Sequence, residues 1–289
     1  MRRVLIVGCG YVGRATADLF FAEGWQVEAW RKSTDATQAD YPIIVCDASD
    51  RSAVAKRAHS FDVVIHCAST KGGDSAAYRK VYFEAAQNLA ALFPDSLLLF
   101  TSSTSVYAQR DGEWVTEQSP AEPERETSRV LREAENVVLA HGGTIARLAG
   151  IYGPGRSFLL EQFVSGRATI PAQDRYINQV HRDDIASALL LLASKPAAGQ
   201  IFNVADNAPM FRRDCYEWLA GHLNLPLPAV TNDSQPRKRG ESNKRVSNRK
   251  LRDYGWQLRY PRFEIGMAES VVPHWNAFCS HSEHAQHQT

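Results

Sequence analysis

The sequence has no apolar run approaching the roughly 20 residues needed to cross a bilayer, so a membrane is not expected among its partners. It lacks a dominant charge sign. Lys and Arg number 33 against 32 Asp and Glu, a formal net charge of +1, which leaves no whole-chain field to draw it to nucleic acid. It lacks a CxxC pair: five cysteines, Cys9, Cys46, Cys67, Cys215 and Cys279, are scattered and odd in number. That excludes a disulfide framework and fits reduced thiols in a cytoplasmic protein. There is no internal repeat, and no low-complexity tract precedes the polar tail Ser280–Thr289. Met1-Arg2-Arg3 before Val4-Leu5-Ile6-Val7 has the outline of a secretory leader, but the apolar run is too short and stops at Gly8.

What is present is enough for a full-sized core, with 44% hydrophobic residues over 289 positions. The first half alternates short β-type runs with helical ones. Val4–Val7 reads as a strand, and 11–23 as a helix with Val12, Ala15, Leu19 and Phe20 on one face, ended by Gly24. Strands Val27–Trp30, Ile43–Cys46 and Val63–Cys67 follow, then a helix over 75–93 closed by Pro94. Strand Leu97–Thr101, a helix over 124–140 stopped by His141-Gly142-Gly143, and strand Thr144–Leu148 complete this half. Strands apolar on both faces, separated by amphipathic helices, predict an α/β fold: a doubly wound parallel sheet covered on both sides. Beyond residue 150, Gly153-Pro154-Gly155 and Pro171 break the pattern. Helix 182–194 and strand Ile201–Val204 restore it, and a last helix is expected near 262–278.

The sharpest motif is Gly8-Cys9-Gly10-Tyr11-Val12-Gly13. A GxGxxG string alone is weak, but this one leaves an apolar strand and opens a helix, which is the context its mechanism requires. Gly8 permits the tight turn, Gly10 lets backbone approach a pyrophosphate, and Gly13 lets helix and strand pack closely. Tyr11 and Val12 begin a helix whose free N–H groups and dipole favour phosphate. A glycine turn that merely joins strand to helix is the bland alternative. At the end of the second strand an acid would accept from the ribose of NAD; here stand Arg31, Lys32 and Ser33, which suit a 2′-phosphate. NADP is therefore expected, with NAD second. Asp47, with Ala48, can meet the adenine edge or cap the following helix. Residues 1–152 and 174–205 are expected to form the Rossmann-type dinucleotide domain. Residues 153–173 and 206–279 would make a smaller C-terminal substrate lobe, and 280–289 a disordered tail.

Several ordered motifs together resemble the extended short-chain dehydrogenase/reductases, the group of nucleotide-sugar epimerases and dehydratases. They are Gly8–Gly13, the strand end His66-Cys67-Ala68, and Thr101-Ser102-Ser103-Thr104-Ser105-Val106-Tyr107. Further on come Arg147-Leu148-Ala149-Gly150-Ile151-Tyr152-Gly153-Pro154-Gly155-Arg156, Val180-His181-Arg182-Asp183-Asp184 and Phe202-Asn203-Val204. The resemblance covers most of the chain and implies cofactor contacts at Cys67 and Ala68. It also implies hydride chemistry with a Ser, a Tyr and a Lys spaced YxxxK, and an Asn on the preceding helix. Here the pattern departs. Aligned on Pro123 and Glu135, the Tyr position falls on Thr127 and the Lys position on Leu131. No Tyr occurs between Tyr107 and Tyr152, and no Lys between Lys80 and Lys195. The Asn position falls on Tyr82; only the serine persists, as Ser103. Bringing a phenol from about 10 to about 7 takes roughly 4 kcal/mol, which the family's Lys helps supply and Leu131 cannot. The chain resembles an atypical branch of the family.

Ser103 is open to two roles, a hydrogen bond to a substrate carbonyl or the cap of a buried strand end. Tyr82 is a candidate relocated phenol, Tyr107 reads as structural, and His66 reads as a packing residue. His181-Arg182-Asp183-Asp184 reads as a cap with an ion pair, and no metal site is expected. Arg156, after the Gly-Pro-Gly turn, is expected to face the substrate. Arg237-Lys238-Arg239, Lys244-Arg245 and Arg249-Lys250, with Glu241 as near counter-charge, either bind a substrate phosphate or form a solvated face. Trp218 and Trp256 are expected in the core of the small lobe. Helices 75–93 and 124–140 are placed where family members form a homodimer. Two functions follow: an NADP(H)-dependent oxidoreductase or epimerase on a small or nucleotide-linked substrate, or a cofactor-binding sensor or scaffold without turnover.

Overall fold

The structure, a computed structural model, describes residues 1–33, 38–70, 72–195, 197–231 and 242–275. Arg3–Val7 forms β1, almost wholly buried, and leads through the glycine turn into α1, Tyr11–Ala22, which buries Val12, Thr16, Ala17 and Phe20. The chain returns as β2, Gln26–Arg31, and passes to β3, Ile43–Val45, and the short α2, Arg51–Ala55. Next comes β4, Val63–His66, then α3, Ser75–Tyr78, which runs through a π-helical turn, Arg79–Glu84, into α4, Ala85–Leu92. Strand β5 spans Leu97–Ser103, and α5 spans Glu126–Ala140.

Seven parallel strands form the central sheet, in the order Ile201–Val204, Thr144–Leu148, β5, β4, β1, β2, β3. Strands apolar on both faces need cover on both sides. Helices α1 and Arg182–Ser194 pack together on one side, and α4 and α5 pack against each other and against β5. The order reverses between β1 and β4, so the β1–α1 turn opens into the crevice at the carboxyl ends of the strands, where such sheets take ligands. This is the doubly wound α/β fold expected from the sequence.

A second apolar cluster gathers Tyr152, Leu159, Phe163, Ile170, Tyr216, Phe263 and Met267, among others. Its helices Phe158–Val164 and Arg212–Leu223 fall in stretches where the sequence pattern looked loose. Trp218 packs partly buried on this cluster. Trp256 does not: it lies in the main core, 4% exposed, and its indole donates to Ser187 Oγ at 3.0 Å. The helix expected near 262–278 starts at Phe263 and becomes π-helical over Met267–Val271; its last expected residues, with Cys279 and the tail, lie outside the described residues. Among the described residues no helix is long and apolar enough to cross a membrane.

Candidate cofactor and substrate site

The glycine turn is tightly constructed. Gly8 and Cys9 both donate to Trp30 O at 2.8 Å, which hangs the turn from the end of β2. Gly8 has φ of +95°, and a Cβ there would lie 2.3 Å from Ala68 Cα. A Cβ on Gly13 would lie 2.1 Å from Gly8 O, so α1 sits directly on the end of β1 only because Gly13 has no side chain. Gly10 faces open space and precedes α1 without a side-chain cap, leaving the first helical N–H groups to an incoming anion. Ala68 forms the floor under Gly8. Beside it, Cys67 N donates to Val7 O at 2.7 Å, and burial pushes its thiol up to about 12.

The expected ribose readers come together at the β2 end. Arg31 O accepts from Cys46 N at 2.8 Å, and Lys32 Nζ pairs with Asp47 at 2.8 Å. The two were expected as separate contacts; here they form a pair, with the Lys32 side chain 74% exposed. Burial pushes the Asp47 carboxyl up, but bonds from Lys32 and Ser49 outweigh it and hold it below its ordinary range. Asp47 does not cap the next helix. Asp50 does, accepting from Ser52 N and Ala53 N. Sequence reasoning missed Asn88 on α4. Its amide donates to Ala48 O at 3.0 Å and Ser49 O at 3.1 Å, fixing the Asp47–Ala48 loop from beneath. The signal was a polar residue amid Ala86 and Leu89 on the buried helix face.

At the end of β5, Ser103 is half-buried and accepts from Ser105 N at 3.1 Å, capping the 3₁₀ turn Thr104–Val106. The cap uses a lone pair, and the O–H has no acceptor among the described residues, so capping and donation to a carbonyl are compatible. Ser128 on α5 reaches Ser105 Oγ at 3.2 Å. Thr127 is half-buried, whereas Leu131 is 4% exposed within the main core. Thr127 and Leu131, onto which the family's phenol and ammonium were expected to fall, thus present a half-buried hydroxyl and a core side chain.

Tyr82, expected as a candidate relocated phenol, lies in a buried aromatic setting. It is 9% exposed in the π-helical turn, 5.0 Å from the Tyr78 ring and near those of His66 and Phe100. Burial raises its pKa, and contact with Thr70 only partly offsets this; a phenol that must ionise needs the opposite shift. His66 is wholly buried, faces the backbone of Val81 and Tyr82, and is pushed down to about 4 by burial. Tyr107 donates to Asn203 Oδ1 at 2.9 Å and accepts from Arg147 at 2.8 Å, inside a buried network with Glu135. These bonds and its burial tie it into the core.

On the second cluster's side, Arg156 is exposed, with its guanidinium carbon 5.3 Å from the Tyr11 ring centroid. His181 caps helix Arg182–Ser194, accepting from Asp183 N at 3.2 Å, and Arg182 pairs with Asp183 at 2.9 Å. The described part of the basic stretch is used structurally. Lys244, buried, donates to Tyr107 O and Ser242 Oγ, both at 3.0 Å, and burial pushes it down to about 8. Arg245 lies between the Trp114 and Tyr176 rings, Arg249 pairs with Asp253, and Lys250 donates to Ile201 O. Arg237-Lys238-Arg239 and Glu241 lie outside the described residues. No group of three or more His, Cys, Asp or Glu side chains among the described residues is placed to hold a metal ion.

A seven-stranded parallel sheet with this glycine turn and these motifs defines an extended short-chain dehydrogenase/reductase-like protein. The sequence profile of the NAD dependent epimerase/dehydratase family matches residues 4–205, and the chain belongs to that family. It is 31% identical over 279 residues to Protein YeeZ of Escherichia coli K12, covering 90% of this chain and 97% of that protein. A solved structure from Methylobacillus flagellatus, provisionally described as an NAD-dependent epimerase/dehydratase, is 27% identical. It covers 98% of this chain and 99% of its own, with a TM-score of 0.77. A dTDP-glucose 4,6-dehydratase from Bacillus anthracis, solved in complex with NAD, shares the fold at 16% identity. Its TM-score is 0.81, over 96% of this chain and 97% of that one.

Proposed function

We propose that this protein is an NADP(H)-preferring oxidoreductase or epimerase acting on a small or nucleotide-linked carbonyl or sugar substrate. The observation that carries it is the β1–α1 turn. Its glycines clear a path to uncapped helical N–H groups, and two cations stand at the adjoining end of β2. Gly8, Gly10, Tyr11, Val12 and Gly13 would hold the diphosphate. Arg31, Lys32 and Ser33 would meet the 2′-phosphate, and Asp47, Ala48, Cys67 and Ala68 would line the adenine and ribose side. Bound there, the nicotinamide supplies or accepts hydride. The Ser103 hydroxyl would donate to the substrate carbonyl where negative charge grows, while its lone pair stays on Ser105 N. With Tyr82 and Tyr107 buried and their phenols raised, water or the substrate itself would provide the proton. Support for a nucleotide-linked substrate is the shared fold with nucleotide-sugar enzymes such as the Bacillus anthracis dehydratase.

One observation favours a second reading, a cofactor-binding sensor without turnover: Leu131, the residue expected at the family's ammonium position, is buried in the core. A single experiment separates the two. NADPH and NADH are titrated by fluorescence, then NADPH oxidation is followed across a panel of carbonyl compounds and nucleotide sugars. Turnover that drops about a hundredfold in Ser103→Ala supports the enzyme. Tight cofactor binding with no turnover across the panel supports the sensor. NADH binding as tightly as NADPH would refute the role given to Arg31 and Lys32. A homodimer through α3, α4 and α5, and a cytoplasmic location with reduced cysteines, complete the proposal.

A further inference from the structure

We infer that Arg156 is a ligand of the cofactor diphosphate, seated on the Tyr11 ring, rather than the substrate contact its sequence position first indicates. This rests on the cofactor reading above. The loop from Gly153 to Arg156 closes on itself: Gly153 N donates to Arg156 O at 2.9 Å, and Arg156 N to Gly153 O at 3.0 Å. Tyr11, inside the glycine turn, donates its hydroxyl to Pro154 O at 3.1 Å. Burial pushes that phenol up to about 12, against partial opposition from Arg182 and Arg156, so it is a neutral donor at ordinary pH. Gly153 has φ of +154°, and a Cβ there would lie 2.6 Å from the Tyr11 hydroxyl. No side chain fits between loop and turn, and the two are held as one piece.

Charge then decides what that piece binds. The guanidinium carbons of Arg156 and Arg182 lie 5.3 Å and 5.1 Å from the same ring centroid, within cation–π range. Arg182 is balanced by Asp183 at 2.9 Å. Arg156 is exposed and meets no carboxylate among the described residues. One uncompensated positive charge therefore stands beside the N-terminus of α1, where the uncapped N–H groups already favour an anion. A planar guanidinium offers two parallel donors to phosphate oxygens, and the ring beneath it limits the rotamer freedom lost on binding. Arg156 also directly precedes Ser157, which caps helix Phe158–Val164 of the second cluster. A bound diphosphate would thus join that cluster to the cofactor turn.

The test is the affinity of the purified full chain for NADPH and NADH, by fluorescence titration, with thermal melting as a control on folding. Arg156→Gln should weaken both cofactors about tenfold and leave their ratio unchanged, because the diphosphate is common to them. Tyr11→Leu should weaken them similarly, Tyr11→Phe by only a few-fold, and Tyr11→Leu with Arg156→Gln no more than either alone. Unchanged affinity for both cofactors in Arg156→Gln, with a raised KM for a carbonyl substrate, would return Arg156 to the substrate and overturn the inference. Weakening of NADPH alone would overturn it too, placing the residue at the 2′-phosphate. A wild-type chain that binds neither cofactor would remove the proposed function itself, a result distinct from either.

Discussion

Glu135 is the acid on which two strands and a helix converge, and replacing it tests how the site is supported. It is fully buried on α5. It accepts from Ser102 Oγ at 2.6 Å and from Arg147 at 3.0 Å and 2.7 Å, and it also pairs with Arg132. Arg147, on strand Thr144–Leu148, is 1% exposed and donates onward to Tyr107. Glu135→Gln keeps the shape and removes the charge, leaving the Arg147 cation buried without its counter-ion. Breaking a buried pair in this way costs about 3–5 kcal/mol. The Arg132 contact, 26% exposed on its cationic side, adds little. A loss of about 3 kcal/mol is expected, a large part of the roughly 5–15 kcal/mol that holds a domain together. Arg147→Met should cost a comparable amount. Glu135→Leu with Arg147→Met removes both charges, and its cost should fall at least about 2 kcal/mol short of the sum of the separate changes. Urea unfolding followed by circular dichroism measures all of them. A loss under about 1 kcal/mol for Glu135→Gln, or strict additivity in the double variant, would refute the reasoning.

Three further outcomes are expected. His66 is held neutral by burial, its pKa pushed from 6.5 to about 4. Between those values the unfolded chain takes up a proton that the folded one refuses, so stability is full above about 6.5 and falls as pH drops through the window. The loss reaches about 3 kcal/mol by pH 4, and His66→Phe should flatten that part of the stability curve; an identical curve in the variant would count against it. Gly13→Ala drives a methyl into the Gly8 carbonyl. It should lower stability by about 1–3 kcal/mol and cofactor affinity more than tenfold, read by melting and titration. Arg31→Gln should weaken NADPH by about tenfold while sparing NADH, so equal weakening of both would contradict the 2′-phosphate assignment.

The strands of the main sheet were readable because each is a short apolar run between helices with polar faces, and the glycine turn because three glycines follow a strand directly. The helix Arg212–Leu223 was not readable. It starts after Phe211 without a side-chain cap, and Arg212, Arg213 and Asp214 give it a polar opening typical of a loop. Helix Phe158–Val164 is short, and the glycine and proline breaks around it dominate the local pattern. Glu135 sits among Arg132, Glu133 and Asn136, a polar run that reads as a solvated helix face. Its partner Arg147 lies on a strand, and only tertiary structure brings the two together. The environment of Tyr82 was equally hidden. A phenol on the right helix says nothing of its burial, which is set by a π-helical turn that carries no sequence signature.

The path of the chain between its two apolar clusters has a mechanical consequence. Leu148 belongs to the main core and Tyr152 to the second; Val180 belongs to the first, Cys215 to the second, Val246 and Trp256 to the first, and Phe263 to the second again. No single cut releases either part as a continuous fragment, so a truncation ending near residue 205 would strip Val246, Leu251 and Trp256 from the main core while orphaning the rest. With several chain crossings between the two clusters, any opening between them has to bend several connecting segments together rather than one.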